Sequence, residues 1–119
     1  MLWGRKTWRT PDAALGEVFR SSVLGARAID YSRIRVQSSN DDLAEVVDAH
    51  SRVMAIVGQF EELEQALLIG YGLGLGYQRL SEVLHVSRTT CRRKHQRARV
   101  EFIRRMLEHG LLSNRDAAV

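Results

Sequence analysis

The chain has 119 residues, 45% hydrophobic and 27% charged, with a formal net charge of +4. This length is enough for one compact domain but hardly for two. Cys91 is the only cysteine, which excludes an intrachain disulfide and a thiolate zinc site. No apolar run approaches the roughly 20 residues of a membrane span, and the N-terminal residues lack the apolar core of a signal peptide. We therefore expect a cytoplasmic protein without membrane contact.

Composition predicts an all-α fold, because helix formers dominate, Pro11 is the only proline and alternating β-branched runs are nearly absent. The net charge is +4 over residues 1–36, −6 over 37–76 and +6 over 77–109. We interpret this as a basic N-terminal segment over residues 1–40 and a helical core over 41–119. The two basic blocks, separated by an acidic middle, indicate one surface for a polyanion and another for a different partner.

The first predicted helix covers residues 11–24. Thr10 can cap it and Pro11 suits its first position. Gly16 weakens this prediction, because glycine inside a helix costs about 1 kcal/mol relative to alanine. Residues 26–40 show no firm periodicity, so a short extended segment and an irregular connector both remain open.

Two more helices are predicted in the acidic middle. The second begins near residues 39–42 and carries apolar residues at helical spacing, and the third covers residues 61–71. The third helix runs into four alternate glycines, Gly70, Gly72, Gly74 and Gly76. No lysine follows them as in a phosphate-binding loop, so we interpret this stretch as a turn between helices.

The strongest pattern is a helix-turn-helix at about residues 77–109. Leu80, Val83 and Leu84 are predicted to share one face of a short helix, Val86 to fill the turn and Ser87 to cap a longer helix. At 100° per residue, that longer helix separates into two sides. The side predicted to be buried carries Cys91, Ala98 and Phe102, and the opposite side carries Thr89, Arg93, Gln96 and Val100.

Residues 88–99 contain no acidic side chain, and we place Lys94 and His95 on their outward face with the arginines. Arginine can bond a guanine edge, glutamine an adenine edge, and the remaining cations can neutralise phosphates. We therefore predict contact with double-stranded DNA by Arg88, Thr89, Arg92, Arg93, Gln96, Arg97 and Arg99. A solvated basic helix and an acidic protein partner remain alternatives.

Residues 80–102 resemble the helix-turn-helix of sigma factor region 4. The resemblance rests on Val86-Ser87-Arg88, the small core residue Cys91, then Arg92, Arg93 and Ala98. It implies that Arg88, Thr89, Arg92 and Arg93 lie where that family meets the promoter −35 element. Sigma factors favour glutamate at the position of Thr89, so the resemblance implies a different base sequence here.

The whole arrangement resembles the Q-type transcription antiterminators of phages and prophages, in particular the zinc-free, AlpA-like ones. The lambda branch uses cysteines for zinc, which a single Cys91 does not allow. The resemblance implies a factor that binds DNA beside a promoter, loads onto bacterial RNA polymerase, with or without a sigma factor, and permits read-through of terminators. Trp3, Arg5 and Trp8 are the candidate polymerase contacts, although the two tryptophans could equally fold back on the core.

Two other function classes are alternatives. A phage-type regulator of transcription initiation would use the same helix-turn-helix. An enzyme would need clustered carboxylates or histidines. The one acidic cluster, formed by Asp41, Asp42, Glu45 and Asp48, is predicted to lie on a solvated helix face, and the four histidines are scattered. We expect no catalysis, no cofactor, no metal ion and no small-molecule substrate.

Overall fold

A computed structural model describes residues 6–28 and 40–113. These residues form five α-helices: α1 (Pro11–Ala28), α2 (Asn40–Val57), α3 (Glu62–Gly72), α4 (Tyr77–Leu84) and α5 (Arg88–Glu108). In these ranges the only β-type pairing is an isolated bridge between Trp8 and Leu112. The all-α prediction is confirmed. None of these helices combines the length and the apolar character that crossing a bilayer requires.

The helices begin where local capping predicts. The Ala13 backbone N–H donates to Thr10 Oγ1 at 3.1 Å, which satisfies one of the free donors at the start of α1. At α3, Glu61 and Glu64 form a reciprocal capping box. The first helix runs to residue 28, beyond the predicted end at 24. Of the segment left open in the sequence, residues 26–40, the structure places 26–28 in α1 and 40 at the start of α2, and residues 29–39 lie outside the described residues.

The larger core brings together α1, α2, α3 and α5. Its fully buried side chains include Leu15, Val53, Leu68, Phe102 and Met106. The chain segments just before α1 and just after α5 close this core, because the Trp8 N–H donates to the Leu111 carbonyl at 2.9 Å and the Ser113 N–H to the Trp8 carbonyl at 2.8 Å. Trp8, Leu15 and Val18 therefore share one core with α2, α3 and α5.

Helices α1 and α3 cross at two glycines. A Cβ atom built on Gly16 would lie 2.6 Å from the carbonyl oxygen of Gly72, and one built on Gly72 would lie 2.6 Å from the Cβ of Leu15. Both distances are far below ordinary carbon contacts, so only glycine allows this approach. Gly16, a weak point by helix propensity, is the residue that lets α1 reach α3.

A smaller core holds α4 and the first turn of α5 against α3. Leu67, Leu80 and Cys91 are buried at its centre, and Leu84 and Val86 pack around them. The predicted burial of Cys91 and the packing of Val86 are confirmed. The grouping of Val83 with Leu80 and Leu84 is wrong, because Val83 is 54% exposed. Around the helix axis, Val83 lies about 60° from Leu80, on the side away from Leu84. Because α4 packs along its Leu80–Leu84 edge, Val83 is left in solvent.

Candidate nucleic-acid interface

The turn between α4 and α5 is fixed by backbone geometry and by one cap. His85 ends α4 in the left-handed conformation, with φ 57° and ψ 40°. Ser87 then begins α5: its hydroxyl oxygen accepts from the Thr90 backbone N–H at 3.1 Å. The Val86 N–H donates back to the Ser81 carbonyl at 3.3 Å. These bonds set the direction in which α5 leaves α4, and the predicted cap at Ser87 is confirmed.

An open cleft of about 530 Å³ lies between the start of α4 and the first turns of α5. Five of the seven residues predicted to contact DNA line it: Arg88, Thr89, Arg92, Arg93 and Gln96. The other two lining residues, Tyr77 and Gln78, were missed as site residues, because they stand in α4, before the basic run. Gln78 also joins the two helices, since its Oε1 accepts from Arg88 at 3.4 Å.

The arginines of α5 fall into two groups according to their partners. In the C-terminal half, acidic side chains hold Arg104 and Arg105: Glu101 accepts from both, and Glu108 accepts from Arg104. These bonds lower the pKa of Glu101 to about 2. In the N-terminal half, no acidic side chain of the described residues pairs with Arg88, Arg92, Arg93, Lys94 or Arg97. The free positive charge of α5 therefore lies on its first three turns.

Two residues predicted for the outward face lie elsewhere. Arg99 is 37% exposed and donates from Nε and Nη2 to the Asp12 carboxylate, with the shortest distance 3.2 Å. It ties α5 to the start of α1, so we place it outside the cationic face. His95 was predicted to face outward with the arginines, and this is wrong, because only 1% of it is exposed.

His95 lies in an aromatic cluster beneath the cleft. The Tyr77 hydroxyl and His95 Nδ1 share a hydrogen bond of 2.8 Å, and the ring of Tyr71 lies 4.5 Å from the imidazole, centre to centre. Burial raises the pKa of Tyr77. His95 Nε2 is buried without a hydrogen-bond partner among the described residues. Burial, and to a smaller extent Arg99, lowers the pKa of His95, while Asp12 opposes this shift.

This arrangement predicts that the protein loses stability as the pH falls below about 6.5, the ordinary pKa of histidine. The unfolded chain takes up the His95 proton near that pH, whereas the folded protein takes it up only at its lower pKa, so the free energy of unfolding decreases between the two values. The free energy of unfolding, measured by urea denaturation at pH values from 7.5 to 5, should change less with pH in His95→Gln than in the wild type. An NMR titration placing the His95 pKa at or above 6.5 would contradict the argument.

The candidate polymerase contacts are only partly within the described residues, which exclude Trp3 and Arg5. Trp8 is 5% exposed and belongs to the larger core. Its ring stacks on His50 at 6.0 Å, and Lys6 Nζ lies 5.1 Å from the ring centre. Glu17 joins these neighbours, accepting from Lys6 at 3.1 Å and lying 2.8 Å from His50 Nε2. The sequence left open whether Trp8 contacts a partner or folds back on the core, and in the structure it folds back on the core.

The chain matches no family model, and neither the curated proteins nor the solved structures contain a match to it. The site combines the capped turn between α4 and α5, a cleft lined by hydrogen-bonding side chains, and a row of cations for which the described residues supply no acidic partner. It can bind an extended polyanion whose edges present both donors and acceptors.

Proposed function

We propose that this protein binds double-stranded DNA, with α5 from Arg88 to Val100 in the major groove and α4 across the phosphate backbone. The observation that carries the proposal is the contrast within α5. Arginines beyond Arg97 are held by carboxylates, whereas no carboxylate among the described residues pairs with those lining the cleft. Unpaired guanidinium groups on a rigid helix are suited to phosphates and guanine edges, because their hydrogen-bond geometry is fixed and their charge is uncompensated.

The lining residues supply distinct modes of recognition. Arg92 and Arg93 can bond the O6 and N7 acceptors of guanine, and Gln96 the N6 and N7 atoms of adenine. Arg88 and Gln78 lie at the edge of the cleft where α4 approaches α5, a position suited to a phosphate. Base reading and backbone contact would thus come from the same short segment.

Substitution of the free arginines is expected to weaken DNA binding. Arg92→Ala and Arg93→Ala should each cost about 1–3 kcal/mol if the side chain bonds a base edge. Arg104→Ala is the matched control, because this arginine lies on the same helix, is exposed and is already paired with Glu101 and Glu108. Affinities from fluorescence anisotropy over a salt series give the measurement, and affinity should fall steeply with salt. Equal losses in all three variants, or a salt-insensitive complex, would contradict the proposed face.

We further propose that the bound protein acts in transcription, as an antitermination factor that engages bacterial RNA polymerase near a promoter. The resemblance of residues 80–102 to sigma region 4, and of the whole arrangement to Q-type antiterminators, supports this proposal. The test is transcription in vitro from a template that carries a promoter and a downstream terminator. Read-through should rise when the protein is added, and Arg93→Ala should reduce it. A changed number of initiated transcripts with unchanged termination would instead favour a regulator of initiation.

A further inference from the structure

Val100 is the most exposed large hydrophobic residue in the described part of the chain, at 70%. It stands on α5 on the side opposite Ala98 and Phe102, which are both buried. Valine is a poor residue for an exposed helical position, because branching at Cβ restricts its side chain and lowers its helix propensity. Packing within the folded protein therefore does not account for this residue.

The position of Val100 links it to the cationic face. Gln96 lies one turn before it and Arg93 two turns before it, and both line the cleft. One turn after it, Arg104 is held by Glu101 and Glu108. Val100 is thus the last outward-facing side chain before the paired arginines. At 1.5 Å per residue, α5 advances about 16 Å from Thr89 to Val100.

Only one base presents an apolar group on the floor of the major groove, and that group is the C5 methyl of thymine. We infer that Val100 is a specificity-determining residue that packs against a thymine methyl at the end of the DNA site farthest from Thr89. The inference rests on the proposed binding of DNA by α5. In this arrangement Val100 adds an apolar contact to the hydrogen bonds made by Arg93 and Gln96. The recognised sequence must then have a thymine at one end.

The experiment isolates the methyl group. The full-length protein selects its site from a random double-stranded DNA library, and each thymine of that site is then replaced singly by deoxyuridine, which removes only the methyl. One position should show binding weakened about fourfold, the effect of losing one buried methyl. Val100→Ala should bind the thymine site about fourfold more weakly than the wild type, and deoxyuridine at that position should then have no further effect.

Two controls define the outcomes. Leu107→Ala removes another exposed apolar side chain of α5, 37% exposed and beyond the paired Arg104, and should keep the wild-type deoxyuridine profile. Circular dichroism should show that Val100→Ala remains folded, since the side chain is in solvent. A selected site without a methyl-sensitive thymine, or the same sensitivity in Val100→Ala, would overturn the inference while leaving DNA binding intact. Failure to select any sequence, with no salt-dependent binding, would overturn the proposed function and the inference together.

Discussion

Deletion of residues 1–39 is expected to abolish the cooperative thermal unfolding of the remaining chain. The deletion removes α1, whose Leu15 and Val18 are at most 2% exposed in the larger core, and it uncovers Leu68 and Phe102 on the neighbouring helices. Each large apolar side chain that loses its burial forfeits about 1.5–3 kcal/mol. Several such losses approach the roughly 5–15 kcal/mol that stabilises a whole domain. Circular dichroism melts of the full-length and shortened proteins provide the measurement.

The matched control for this deletion is Asp12→Asn, which weakens the ion pair with Arg99 while leaving α1 in place. This variant should retain a cooperative transition, because the pair is partly solvent-exposed and such pairs contribute little. DNA binding should disappear with the fold in the shortened protein and persist in Asp12→Asn. A shortened protein that folds and binds DNA at full affinity would show instead that residues 1–39 are needed for neither the fold nor DNA binding.

The features that the sequence predicted well are those set by neighbouring residues. Helix starts follow from Thr10, Glu61 and Ser87, whose side chains act within three residues of themselves. The buried side of α5 follows from spacing, since Cys91, Ala98 and Phe102 recur at helical intervals and are all buried. Five lining residues of the cleft follow as well, because the turn and the basic run are adjacent in the chain.

The features that the sequence did not reveal depend on contacts between distant residues. Arg99 resembles its neighbouring arginines in sequence, and only the fold brings Asp12, 87 residues away, within hydrogen-bonding distance. His95 lies one turn after Cys91 and so on the buried side, but its polarity suggested solvent. Tyr77, 18 residues earlier, shares the hydrogen bond that makes the burial of His95 possible. Gly16 is needed because a Cβ atom at this position would lie against the Gly72 carbonyl oxygen, a contact that only the folded structure reveals.

For Trp8, the sequence suggests a functional role and the structure shows a structural one. In the sequence, a tryptophan among Arg5, Lys6 and Arg9 has the composition of an interaction hot spot. In the structure its ring is buried against His50, while its backbone pairs with the segment that follows α5. A residue buried in the free protein can contact a partner only if the segment around it first leaves the core.

Trp8→Ala is therefore expected to destabilise the protein by about 3–5 kcal/mol, the usual cost of truncating a buried aromatic residue, and to lower Tm by about 10–20 °C. Trp8→Phe should retain most of the stability, because it keeps an aromatic ring in the same space. Thermal melts monitored at 222 nm by circular dichroism provide the measurement, and terminator read-through is then compared below both melting temperatures. Unchanged melting combined with lost read-through would identify Trp8 as a polymerase anchor and contradict its place in the core. The expected result, lower Tm with read-through retained in the folded fraction, leaves Trp3 and Arg5 as the substitutions that test polymerase contact.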